Sequence, residues 1–189
     1  MTPTAYHFDG LPWTVLDARS GVQDAEGVWR RDDEADVECL SDAKFALVRS
    51  CCEAGIEFMK TQQPQMAHDS FVGVLEFVTE PVGRWNAVGW ALLGLGHVHV
   101  SQNSWVTARQ ALSDAMWSPG VFGNPWAHRL KGQTHLALGE RERALDDFTR
   151  AVMGGGTEVL KGTGPEVTAL LEQGIDKVPS FVTESEPAS

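Results

Sequence analysis

Long apolar runs are missing from this chain of 189 residues. No stretch approaches the roughly 20 uncharged apolar residues that a membrane-spanning helix needs. Cysteine is scarce. Cys39, Cys51 and Cys52 are an odd count without metal-ligand spacing, which argues against a disulfide framework and suits a reducing cytoplasm. Positive charge is also short: 15 Lys and Arg stand against 26 Asp and Glu, a net charge of −11. Such a chain repels nucleic-acid phosphates and anionic membranes, so neither is an expected partner. The opening residues MTPTAYHFDG hold no basic patch followed by an apolar run. No secretory signal is therefore expected, and the expected location is cytoplasmic.

What is present is enough for a packed core. Hydrophobic residues make up 42%, and the length fits one domain with tails. The charge is uneven. Residues 1–40 carry nine acids and three bases. They lack helical periodicity and hold turn signals at Asp9-Gly10, Ser20-Gly21 and Glu26-Gly27. This region is expected to be an irregular acidic arm, with Trp13–Leu16 and Val28–Arg30 as short extended pieces. Phe8, Trp13 and Trp29 are its candidate contacts with the rest of the chain.

Helical signals begin after the arm. Ser41 is a candidate N-cap for a helix over 42–61, and Pro64 suits the first turn of a second helix reaching about residue 79. Pro81 and Gly83 break the chain. Further helices are expected over 85–101, from a Ser104 cap to 117, from Asn124-Pro125 to Gly139, over 140–153, and from Thr163-Gly164-Pro165 to 177. Residues 41–177 thus read as an all-α domain of seven helices with short links, and 178–189 as a loose tail.

Two stretches repeat with a shift of 36. Trp90 falls on Trp126, Gly96 on Gly132, His99 on His135, Ala108 on Ala144 and Ala115 on Ala151. A weaker copy places Gly55, Phe58, Ala67, Phe71 and Val74 at the corresponding positions. In the second helix of each copy the i, i+4, i+7 spacing of Ala108, Leu112 and Ala115 puts three residues on one face. Small residues there let two helix backbones approach to about 8–10 Å. A repeat of this length indicates stacked helical hairpins, each unable to bury its apolar face alone.

This layout resembles the tetratricopeptide repeat, with three copies over about residues 48–158. The family places Leu before the small residue of the first helix and an aromatic three positions after it. Leu95 matches, whereas Lys131, His99 and His135 depart. The resemblance implies an α-solenoid of about three hairpins, closed by a capping helix after Pro165 that carries Val167, Leu170 and Leu171.

The resemblance also implies a concave groove lined by the first helices. Counted from the small glycine, the facing residues are Ile56, His97 and Gln133; Cys52, Leu93 and Arg129; Arg49, Trp90 and Trp126; and Met59, Val100 and Leu136. Such a surface would be apolar at its centre, with two indoles in register and two arginines nearby. Some family members clamp a peptide C-terminus with Lys, Arg and Asn. Those places here hold Cys52, Ile56, Gly94, Trp126 and Leu130, so that activity is not expected.

Catalytic and metal-binding patterns do not emerge. His97 and His99, two apart on a helix, point to different faces, whereas a metal pair needs i+3 or i+4. His99 and His135 read as packed, hydrogen-bonded histidines. Cys51 and Cys52 diverge; Cys52 is a packed thiol, or a reactive one if the groove exposes it. In GGGTEVLKGTG the lysine precedes the glycine, the reverse of a phosphate loop. Glu140-Arg141-Glu142-Arg143 reads as a solvated helix start.

The expected function is accordingly non-catalytic: an adaptor or chaperone that binds an apolar segment of a partner protein in its groove, without a metal or cofactor. An alternative is a self-associating assembly protein whose N-terminal arm fills the groove. A further one, from layout alone, is a small three-repeat chaperone of the type III secretion kind.

Overall fold

The computed structural model describes residues 42–78, 86–118 and 120–175, with four dipeptides ahead of them. Those dipeptides form two short antiparallel pairings. His7–Phe8 (β1) pairs with Leu11–Pro12 (β2), and Val22–Gln23 (β3) pairs with Trp29–Arg30 (β4). β4 falls within the extended piece expected at 28–30. The piece expected at 13–16, the Ser41 cap and the tail at 178–189 lie outside the described residues.

Among the described residues seven α-helices follow: α1 Asp42–Lys60, α2 Pro64–Phe77, α3 Asn86–Ser101, α4 Trp105–Ala115, α5 Pro125–Ala137, α6 Arg141–Gly155 and α7 Pro165–Ile175. The boundaries follow local chemistry. Pro64 and Pro125 open α2 and α5, where a missing N–H costs nothing. Asn124 caps α5: its side-chain oxygen accepts from the N–H of Trp126 at 2.8 Å and of Ala127 at 3.4 Å. The glycine run ends α6 later than expected. Gly154 and Gly155 stay helical, and the chain leaves the helix at Gly156, whose φ is 66°. A 3-10 turn, Thr157–Leu160, then leads to α7.

The fold is all-α, a series of packed helix pairs of the helical-repeat kind. α1 packs on α2, α3 on α4 and α5 on α6, and neighbouring pairs pack through α2 and α3 and through α4 and α5. One contact recurs in each pair. A Cβ at Gly55 would lie 2.7 Å from the ring of Phe71, and at Gly132 it would lie 2.8 Å from the ring of Phe148. At Gly96 it would fall on Leu112. Any side chain there would push the two helices apart. The small residues on the second helices are equally committed. Ala67, Ala108, Ala115, Ala144 and Ala151 are all fully buried.

The apolar interior divides into two clusters. The larger runs through α1 to α5 and includes Val48, Phe71, Leu93, Val98 and Leu130. The smaller joins α6 to α7 through Ala144, Phe148, Val167 and Leu170, with Leu136 and Leu145 at its margin. α7 thus covers the apolar face that α6 would otherwise leave open, as the end of a repeat stack requires. The helix α3 is the hub. Every residue from Ala87 to Gly96 is buried, because α1, α2, α4 and α5 all pack against it.

Candidate functional site

The burial of α3 corrects the expected groove. Trp90 is 3% exposed, Leu93 0%, Cys52 0%, Ile56 5% and Trp126 7%. All five belong to the large core cluster rather than to an open wall. The physical reason is the contact of the first helices with one another: α1 packs on α3, and α3 on α5. Positions beside the repeated glycine therefore face the next first helix, and large apolar side chains there fill the seam. Leu136 is also displaced from the expected groove, since it packs against the α6–α7 cluster. Arg49, Met59, His97, Val100 and Gln133 remain half-buried.

Trp126 shows how the seam is built. Its ring lies 6.5 Å from that of His97 on α3, and the guanidinium of Arg129 sits 4.1 Å over its face. Arg129, only 8% exposed, donates through Nη2 to the carbonyl of Lys161 at 2.9 Å. The aromatic–arginine pair expected at a binding surface is instead an internal cation–π stack tying α5 to the 3-10 turn. The two histidines of α3 diverge as expected: His97 faces Trp126, and His99 meets the ring of His68 on α2 edge-on at 5.7 Å. Burial pushes the Cys52 thiol far up, with Cys51 and Glu53 adding to it, so this cysteine is a packed thiol and not a nucleophile.

A polar cluster that the sequence reading missed joins α5 to α6. Asp147 is 4% exposed. Its Oδ1 lies 2.8 Å from His128 Nδ1 and 3.4 Å from Lys131 Nζ, and its Oδ2 lies 3.5 Å from His135 Nε2. The other nitrogen of His135 meets Glu140 Oε2 at 2.6 Å. Glu140 also accepts from Arg143 at 3.2 Å and, across to α4, from Arg109 at 2.9 Å. Glu140 is therefore a junction between hairpins and not simply part of a solvated helix start. The cluster explains the two departures from the repeat pattern in this hairpin: Lys131 and His135 both serve Asp147. A signal was available. Asp147 stands three after Ala144 and four before Ala151, on the buried stripe of α6, while His128, Lys131 and His135 share one face of α5.

Two groups give the fold an acid sensitivity. Desolvation, with His68 alongside, holds His99 below its ordinary value of 6.5. The hydrogen bond from His135, helped by Arg143, holds Glu140 below its ordinary 4.5 against a smaller opposing effect of burial. In both cases the unfolded chain takes up the proton more readily than the folded one. The contribution of His99 is thus full above about pH 6.5 and falls below it, and that of Glu140 is lost below about pH 4.5. Melting temperature should therefore drop in two steps on acidification. His99→Gln should flatten the first step and Glu140→Gln the second. A wild-type melting temperature that is constant from neutral pH to about pH 4.5 would contradict the first assignment, and one that stays constant on further acidification would contradict the second.

Among the described residues no group of three or more His, Cys, Asp or Glu is placed to hold a metal ion. No described helix is long and apolar enough to cross a membrane. No family model matches the chain, and comparison with curated proteins finds no match.

Proposed function

We propose that this chain is a non-catalytic helical-repeat module, of tetratricopeptide-repeat type, that holds a segment of a partner protein along its first helices. The observation that carries this reading is the recurrence of one contact in three hairpins: Gly55 on Phe71, Gly96 on Leu112 and Gly132 on Phe148. Equal hairpins in series turn the same face of each first helix to the same side, which makes an extended surface suited to a long partner segment. The polar cluster of α5 and α6 is built of mutually satisfied charges, an arrangement that stabilises a hairpin rather than one that leaves a nucleophile or base available to a substrate.

Burial of the indoles changes the partner's chemistry. With Trp90 and Trp126 in the seam, the surface left along the first helices is that of Arg49, Met59, His97, Val100 and Gln133. It is mixed, with two apolar side chains and three polar ones. It suits an amphipathic segment, whose apolar anchors meet Met59 and Val100, better than a wholly apolar one. A net charge of −11 makes a basic or neutral segment a better match than an acidic one.

The test is co-purification from the native source, comparing wild type with Met59→Glu/Gln133→Arg. Both positions are half-buried and lie in the first and third hairpins; because Met59 also packs against the core cluster, helical content and melting temperature are measured alongside. The partner recovered with wild type should be lost from the variant. Undiminished recovery of that same partner by a folded double variant would sink the proposal.

A further inference from the structure

Two of the largest apolar side chains of the protein face solvent. Trp117 is 75% exposed and Phe122 is 72% exposed, both on the link between α4 and α5. They flank a cleft of about 600 Å³ lined also by Ser113, Met116 and Lys131. This cleft continues into a second, of about 570 Å³, which shares Ser113, Met116, Phe122 and Lys131 and extends along α6 past His128 and His135 of α5. There Glu142, Arg143, Asp146 and Arg150 line it. None of these residues belongs to the concave line, so the surface is separate from the proposed groove.

The charge pattern selects the occupant. Residues 125–161 hold six bases and five acids. Taken whole, the three flanking segments are net negative: nine acids to three bases over 1–40, seven to five over 41–124, and five to one over 162–189. Two copies, each carrying −11, therefore meet with less repulsion through the third hairpin than through the acidic arm or the tail. The cleft also carries both signs side by side. Asp146 and Arg150 are paired at 2.9 Å and more than half exposed. A twofold axis sets a patch against itself in reverse, so a patch with both signs can complement its own copy. A foreign acidic or basic segment would be better served by a patch of one sign. Exposed ion pairs of this kind contribute roughly 0–1 kcal/mol within one chain, so they exchange readily for pairs between chains.

We propose that a second copy of this chain docks here as an isologous pair, in which the Trp117 indole of each copy enters the cleft of the other beside Phe122. A tryptophan at the centre of such a contact is the residue type that most often dominates binding. The pair forms through the α4–α5 link and the cleft beside α6, leaving the proposed groove residues available.

Sedimentation equilibrium of the full chain reads this directly. Wild type should show a monomer–dimer equilibrium. Trp117→Ala/Phe122→Ala should weaken it by at least ~10-fold, with helical content and melting temperature retained because both side chains lie outside the core. Arg150→Glu, a second variant on α6, should also weaken it by setting two acids against each other. A wild type that stays monomeric overturns the proposal, as does a dimer indifferent to the aromatic double variant. A monomer whose Trp117 is shielded only by another protein overturns it in favour of a foreign partner. Loss of the dimer with the groove partner still bound would leave the proposed function standing, so the two ideas fail separately.

Discussion

Phe148→Ala is expected to destabilise the protein by about 3–5 kcal/mol, the cost of emptying a fully buried aromatic site. Phe148 is 0% exposed and fills the space that Gly132 leaves open. Around it stand Ala144, Val167 and Leu170. Neither neighbour class relieves the cavity. The glycine has no side chain to lean inward, and Val167 and Leu170 are held by the packing of α7. In a stack of hairpins the damage should also be local, because each unit depends mainly on its neighbours. Urea unfolding gives the total loss. Amide hydrogen exchange locates it: α5, α6 and α7 should lose protection well before α1 and α2 do. Equal loss of protection over all seven helices would show a single cooperative unit instead, and the picture of coupled hairpins would have to go.

The second large effect belongs to Asp147. Removing one partner of a buried charge cluster strands the others, which costs about 3–5 kcal/mol. Asp147→Ala would leave His128, Lys131 and His135 around an empty place on α6, with Glu140 still paired to His135. Asp147→Asn keeps an acceptor for His128 but loses the charge that Lys131 faces, so it should fall between wild type and Ala. Denaturant midpoints of the three proteins, measured at constant pH, check the order. A loss below about 1 kcal/mol for Asp147→Ala would mean that the cluster is worth no more than an exposed ion pair.

The two predictions draw on information of different kinds. The pairing of Gly132 with Phe148 is readable from the chain, since the same spacing recurs as Gly96 with Leu112 and Gly55 with Phe71. The role of Asp147 is not readable in the same way. It stands on the buried stripe of α6, but its partners lie 12 to 19 residues away on α5, and an acid on a stripe can equally lie at its edge. Lys131 and His135 looked like departures from a pattern because the residue that requires them belongs to another helix.

The groove illustrates the same limit. Counting from the repeated glycine selects a turn of each first helix, yet it does not separate the side left open from the side facing the next first helix. Those two directions are close together on one helix, and a tryptophan is wide enough to occupy both. Trp90 and Trp126 went to the seam, and His97 with Arg129 completed the stack around Trp126.

From its sequence alone the chain settles where helices start and stop to within about two residues, and which two helices form each hairpin. These depend on prolines, caps, glycines and spacings within some thirty residues, where chain connectivity brings the interacting groups together. Only the tertiary structure decides which side chains of α1, α3 and α5 meet water, which charges are shared between α4, α5 and α6, and where aromatic rings are left exposed. Exposure is a property of what stands opposite. For α3 that is four other helices, whose approach is set by the sum of their packing and not by any local run of residues.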